Sequence, residues 1–238
     1  MSFRRVVLYL LLLAVAGPHA LAEEKESAVS RILGEALRDD RAYQRLAWLA
    51  DRIGARLSGS ENLERAIEWA VAEMRDDGVD RVWTEPVMVP HWVRGKESGK
   101  IVAPREQRLE VLALGGTIAT PPGGITAEVV EAEDFDELET LGDAVRGKIV
   151  LFNKEIFRNG GTDGKQGYGS AAGLRVRGAI QASKQGAVAM LLRSLGTADF
   201  NLPHTGMMRY EDGIEKIPAA AVAAEDAGLI HRLLAAGA

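Results

Sequence analysis

The sequence predicts an α/β protein in two parts, a helical N-terminal part and a β-rich α+β part with two helices. Three observations carry this. One is an amphipathic helix that opens after Gly54-Ala55-Arg56-Leu57-Ser58-Gly59-Ser60. Another is a change near residue 95 to polar, Gly-containing sequence followed by short apolar runs. The third is Gly147-Lys148-Ile149-Val150-Leu151-Phe152, a Gly-led run apolar enough for a strand buried on both faces. With 238 residues, 47% hydrophobic and 26% charged, the chain has the length for one large or two small domains with a real core.

Residues 1–22 read as a targeting segment rather than as fold. Arg4-Arg5 precede an apolar run from Val6 to Ala16, shorter than the roughly 20 residues of a membrane span. Ala20-Leu21-Ala22 offers a small-x-small cleavage site, and Glu23 begins a polar sequence. This is the pattern of a secretory signal peptide, by the general or the twin-arginine route, and it predicts a secreted or periplasmic protein with no stable membrane span after cleavage. An uncleaved membrane anchor is the alternative. The chain has no cysteine, which excludes disulfides, thiolate chemistry and a lipidated N-terminus.

Residues 27–38 and 40–53 are expected to be helical. Val29, Ile32, Leu33, Ala36 and Leu37 share one face of the first, and Tyr43, Leu46, Ala47, Ala50 and Ile53 one face of the second. Ser60 then caps the helix to Asp77, with Glu61 and Glu64 at its positive end and Gly78 at the C′ position. Leu63, Ala66, Ile67, Ala70, Val71 and Met74 form its apolar stripe. Residues 79–89 favour a strand through Val82, Trp83, Val87 and Val89, with Pro86 and Pro90 marking an edge or exit.

Residues 94–108 read as a polar crossing between domains. Strands come next at 109–114 and 125–131, then a helical turn at Phe135, Leu138 and Leu141, and a strand at 147–152. Residues 158–170 are a Gly-rich loop. A helix over 170–186 carries Ala171, Leu174, Ala179 and Ala182, small enough for close packing. Strands at 188–192 and 217–222 flank an irregular stretch, and a helix over 225–236 comes last.

Charge and motif exclude several functions. The chain carries 29 basic and 34 acidic residues, and loss of residues 1–22 removes only Arg4 and Arg5 from that balance. A mildly acidic chain without basic clusters argues against nucleic acid as a partner. His91, His204 and His231 lie outside the targeting segment, none in a His-x-Asp or His-Glu-x-x-His spacing. His204, in the loop Leu202-Pro203-His204-Thr205-Gly206, is the most open to a functional role; His91 and His231 read as structural. Gly167-Tyr168-Gly169-Ser170-Ala171 lacks the last glycine of a nucleophile elbow. A phosphate loop fails as well, because Asn159 stands at its first glycine position and Gln166 in place of the magnesium-binding hydroxyl. The carboxylate pairs Glu131/Glu133, Asp134/Asp136 and Glu137/Glu139 read as a solvated face. No residue is assigned as catalytic or metal-binding, and the substrate-binding residues are unknown.

Several segments in order nevertheless carry a resemblance. They are Ala42-Tyr43-Gln44-Arg45-Leu46, Ile53 to Ser60, Ala66-Ile67-Glu68-Trp69-Ala70, Val89-Pro90-His91-Trp92-Val93-Arg94-Gly95, Gly147 to Asn153, Pro203-His204-Thr205-Gly206, and Ile217-Pro218-Ala219-Ala220-Ala221 leading to Glu225-Asp226-Ala227. This series resembles the carboxypeptidase Q-like (plasma glutamate carboxypeptidase-like) zinc metallopeptidases, with Ala55 where that family usually has proline. The resemblance implies a signal peptide (1–22), the first part of an αβα zinc-exopeptidase domain (23–95) and an inserted α+β protease-associated domain (96–238), truncated at its C-terminus. It implies two zinc ions, a Glu general base on a bridging water, peptide substrates and a homodimer. The family's His-x-Asp and Glu-Glu motifs come after the insert and match no position here. The chain is thus expected to be an inactive N-terminal fragment, with Ile67, Val71 and Met74 less buried than their pattern demands. A stand-alone protease-associated module that binds peptides or proteins without catalysis is the alternative.

Overall fold

The computed structural model describes residues 27–158, 167–197 and 200–237. The segment expected to be a signal peptide, residues 1–22, and most of the expected Gly-rich loop therefore lie outside the described residues. The chain divides into two units, Met1–His91 and Trp92–Ala238.

The first unit is helical. Helix α1 covers 27–38, α2 covers Arg41–Trp48 and runs into a π-helical turn at Leu49–Ile53, and α3 covers Glu61–Asp76. Ser60 caps α3 as its residue type dictates, its hydroxyl accepting from the Leu63 N–H at 3.2 Å. Helices α2 and α3 meet through a stack of Trp48 on Trp69, centroids 5.1 Å apart, and through Arg45, which donates to Glu73 and Asp77 at 2.7 Å each. Only Ile53 and Ala66 are buried among the described apolar residues of this unit. Val29, Ile32, Leu33 and Leu37 on α1 are exposed, as are Ile67 and Met74 on α3, while Val71 is half-buried. The exposure expected for the α3 stripe is thus observed.

The strand expected over 79–89 is not formed. None of these residues joins a ladder, and Val79, Trp83, Val87, Met88 and Val89 are exposed. Strand propensity reports fit to a pleated surface, and no partner strand stands beside this segment among the described residues.

The second unit holds the sheet. Strands β1 (Gly99–Ile101) and β2 (Gln107–Leu109) pair as an antiparallel hairpin inside the stretch expected to be a plain crossing. A five-stranded sheet has the order β3-β7-β6-β5-β4, from β3 (Val111–Ala113), β4 (Val129–Ala132), β5 (Ile149–Phe152), β6 (Ala189–Arg193) and β7 (Ala219–Val222). Strands β4 to β7 are parallel and β3 is antiparallel to β7. The single strand expected over 109–114 is two, broken at Glu110. There the Glu110 N–H leaves the ladder and donates to the buried Asp226 carboxylate at 2.7 Å.

Helices α4 (Phe135–Leu141) and α5 (Tyr168–Lys184) cover one face, and α6 (Ala224–Ala235) the other. Side-chain alternation distributes each strand between the two layers. Val150 and Phe152 of β5 and Met190 and Leu192 of β6 pack with α4 and α5, whereas Leu151 and Leu191 pack with Ala227 and Ile230 of α6. Gly178 lets α5 sit close to the sheet: a Cβ there would lie 3.0 Å from Phe152 and Met190. The outer edge of β3 is closed by side chains. Glu97 accepts the Ala113 N–H at 2.9 Å while Arg94 and Thr205 donate to the Ala113 carbonyl at 2.9 and 2.8 Å.

Candidate functional site

Two places gather polar side chains, one in each unit. In the first, the Gly54–Ser60 turn is locked by its neighbours. Arg56 donates to the carbonyls of Leu49 and Gly54, and Asn62 reaches back to the Ala55 carbonyl at 3.0 Å. Gly59 has φ +78° and lies against the His91 ring, which a Cβ would approach to 3.2 Å. His91 therefore packs its ring on this turn.

The second place is the rim where the parallel strands end, the usual ligand-facing side of such a sheet. Toward α6, Glu131 on β4 meets His231 Nδ1 at 2.9 Å and accepts from Asn153 at 2.6 Å. Asn153 in turn accepts from Arg193 at 3.2 Å, and Arg193 pairs with Glu155 at 3.3 Å. A groove of about 210 Å³ opens there between Glu155, Arg193, Glu225 and Arg232, two acids facing two bases. Of the carboxylates expected to form a solvated face, Glu133, Asp136, Glu137 and Glu139 are exposed; Asp134 also caps α4 through the Asp136 and Glu137 N–H groups, and Glu137 accepts from the Glu133 N–H.

Toward α5, His204 leaves the loop after β6 and meets Tyr168 at the start of α5. Tyr168 Oη lies 3.3 Å from His204 Nε2, with the rings edge to face. Arg175, two turns along α5, donates from Nη1 to the Tyr168 hydroxyl. Ser194 holds the loop, its hydroxyl accepting the His204 N–H at 2.8 Å and donating to the Leu202 carbonyl at 3.1 Å. The spacing of Tyr168 and Arg175 puts them on one helix face, a signal available in the sequence; the arrival of His204 beside them depends on the sheet order.

Zinc does not fit these residues. The His91 ring packs on Gly59, His204 Nε2 lies beside the Tyr168 hydroxyl and His231 Nδ1 beside Glu131. Among the described residues no three His, Asp or Glu side chains come together to hold a metal ion. No chemical step through zinc is derived from them.

No family model matches the chain. Over 198 residues it is 42% identical to carboxypeptidase Q of Mus musculus and of Homo sapiens, and 43% identical to that of Bos taurus. These matches cover 83% of this chain and 40% of each relative, so the chain spans about two-fifths of the length of the curated relatives it matches. Among solved structures, a peptidase M28 precursor from Shewanella amazonensis superposes with a TM-score of 0.82 at 37% identity, over 91% of this chain and 48% of that one. A zinc aminopeptidase from Bacillus subtilis superposes with a TM-score of 0.56 at 18% identity, over 80% of this chain and 40% of that one, a likeness of fold alone. Over the stretch they share, the chain is a homologue of the carboxypeptidase Q-like metallopeptidases that its motifs resemble.

Proposed function

We propose that this chain supplies the non-catalytic part of a secreted dinuclear zinc exopeptidase acting on dipeptides or short peptides. The observation that carries this reading is the identity shared with carboxypeptidase Q across both units. In this reading the first unit belongs to the peptidase domain and the second is the protease-associated insert. The zinc ligands and the general base come from sequence outside these residues. A zinc-bound water would then be the nucleophile, with a carboxylate taking its proton. The role of this chain is to complete the domain that holds the site and to shape the approach of the peptide. Export through residues 1–22 and pairing of two copies belong to the same reading.

The test is a longer polypeptide that carries this sequence in frame with the downstream codons of its gene. The expected result is a protein that binds zinc, hydrolyses dipeptides and loses activity to a chelator. A downstream frame with no His-x-Asp and no Glu-Glu segment contradicts the proposal. The second unit has its own covered sheet, which favours the non-catalytic binding module as the second reading. A cooperative melt of residues 1–238 as a monomer, with no hydrolysis in any longer form, is the outcome that selects it.

A further inference from the structure

Strands β6 and β7 lie side by side and parallel, yet the chain leaves them toward opposite faces of the sheet. After β6 it stays on the α5 side, where the Arg209 N–H donates to the Val176 carbonyl at 3.0 Å and Lys184 pairs with Glu211 at 3.0 Å. After β7 it turns directly into α6 on the other face. Such a divergence between neighbouring parallel strands opens a crevice at their carboxyl ends, the place where open α/β sheets bind small ligands. The groove of about 210 Å³ described above lies there: Arg193 ends β6, and Ala224 and Glu225 begin α6. Its volume is below the roughly 300–1,000 Å³ of sites for drug-sized molecules, which suits one small ligand rather than a length of peptide.

The charges of the groove select the class of ligand. Arg193 is held from behind, its Nη1 donating to the Asn153 side chain and to the Ala224 carbonyl at 3.2 Å each. Its Nη2 faces Glu155 Oε1 at 3.3 Å, which leaves the second oxygen of Glu155 unbonded among the described residues. Glu225 Oε1 accepts the Asn201 N–H at 2.8 Å and leaves its second oxygen in the same condition. Arg232 is exposed and makes no hydrogen bond or ion pair among the described residues. Its Nη1 lies over Gly228, 3.4 Å from where a Cβ would stand. A lone anion in this groove meets Glu155 and Glu225, and a lone cation meets Arg193 and Arg232. A small molecule that carries both charges a few bonds apart satisfies the acids and the bases together.

We propose that this groove is a binding site for a free α-amino acid in its zwitterionic form. The α-carboxylate pairs with Arg232 and the edge of Arg193, and the α-ammonium with the unbonded oxygens of Glu155 and Glu225. Ala224 and Gly228, the small residues of the lining, leave room for the α-carbon and its substituent. The inference goes beyond the peptidase reading and does not depend on it: the ligand is recognised by its two charges, and no residue of the groove is assigned a part in hydrolysis.

The test is a calorimetric titration of the 238-residue chain with each common amino acid in turn, then with the amide and the N-acetyl derivative of any that binds. Saturable binding is expected, weakened by about tenfold or more when either charge of the ligand is removed, because each makes charged hydrogen bonds. Arg232→Gln and Glu225→Gln, both at exposed positions, are expected to weaken the same ligand by about tenfold each. Gly228→Ala separates the site from the fold. Alanine favours the helix, so the melting temperature holds or rises, while the added methyl group crowds Arg232 and weakens binding. Amino acids that bind no better than their amides or N-acetyl derivatives overturn the proposal, as does a folded chain that binds none of them. Binding that survives all three substitutions puts the ligand elsewhere and overturns it as well.

Discussion

At the scale of single residues, the informative side chains are those that satisfy backbone groups. Ser60 was legible as a cap because its residue type, the acids behind it and the apolar stripe all agree. Ser60→Ala is expected to destabilise the first unit by about 1 kcal/mol in a denaturant titration. Asp226 was not legible. Its partner, the Glu110 N–H, lies far away in sequence, and only folding brings the two together. Asp226→Ala leaves that N–H without its acceptor, and a loss of about 1–3 kcal/mol in urea unfolding of the second unit is expected. Tyr168, Arg175 and His204 belong between these cases: the helix spacing of the first two can be read from sequence, and the third comes by topology.

The acid limb of stability is also set by individual groups. Hydrogen bonding to Arg41 lowers the Asp39 carboxyl from its ordinary 3.8 to about 2, and the Arg45 guanidinium lowers Asp77. A lowered carboxylate favours the folded state above its ordinary value and loses that contribution as the pH falls through the folded one. The Asp77 contact between α2 and α3 is therefore expected to hold at pH 5 and to weaken as the pH falls below the ordinary carboxylate value of 3.8. These pairs are solvent-exposed, so the effect is modest and salt reduces it. Near-ultraviolet dichroism of the Trp48–Trp69 stack would track it, with the pH dependence flattened in about 1 M salt, where the Debye length falls to about 3 Å.

At the scale of elements, packing decided where local pattern sufficed. Strand β5 was readable as doubly buried because both alternating sets of its side chains are apolar, and both layers use them. Phe152 fills the α5 side, in edge-to-face contact with Phe135 at 5.6 Å. Phe152→Ala is expected to cost about 3–5 kcal/mol, read as a lower denaturation midpoint. Residues 79–89 misled for the opposite reason. Their β-branched and aromatic residues describe a surface that a neighbour would cover, and local sequence carries no information on whether that neighbour is present. The break at Glu110 misled because a single backbone donor was diverted to a side chain, which no strand propensity registers.

At the scale of the molecule, the two units differ in what holds them. The second has a sheet covered on both faces; the first buries only Ile53 and Ala66 among its described apolar residues and leaves the stripe of α1, with Ile67 and Met74 of α3, in solvent. Hydrogen exchange is expected to show this directly, with amides of β5 and β6 protected well beyond those of α1 and α3. Uniform protection across both units would contradict it. The resemblance to the carboxypeptidase Q-like metallopeptidases was legible only as individually weak motifs in a fixed order.

The most direct measurement compares residues 1–238 with the longer polypeptide that continues the reading frame, each assayed for bound zinc and for alanyl-leucine hydrolysis. About two zinc ions per chain and chelator-sensitive hydrolysis are expected for the longer protein, as for a dinuclear peptidase site, and neither for residues 1–238. Hydrolysis by residues 1–238 alone, or a longer protein that binds no zinc and cleaves no peptide, would contradict it.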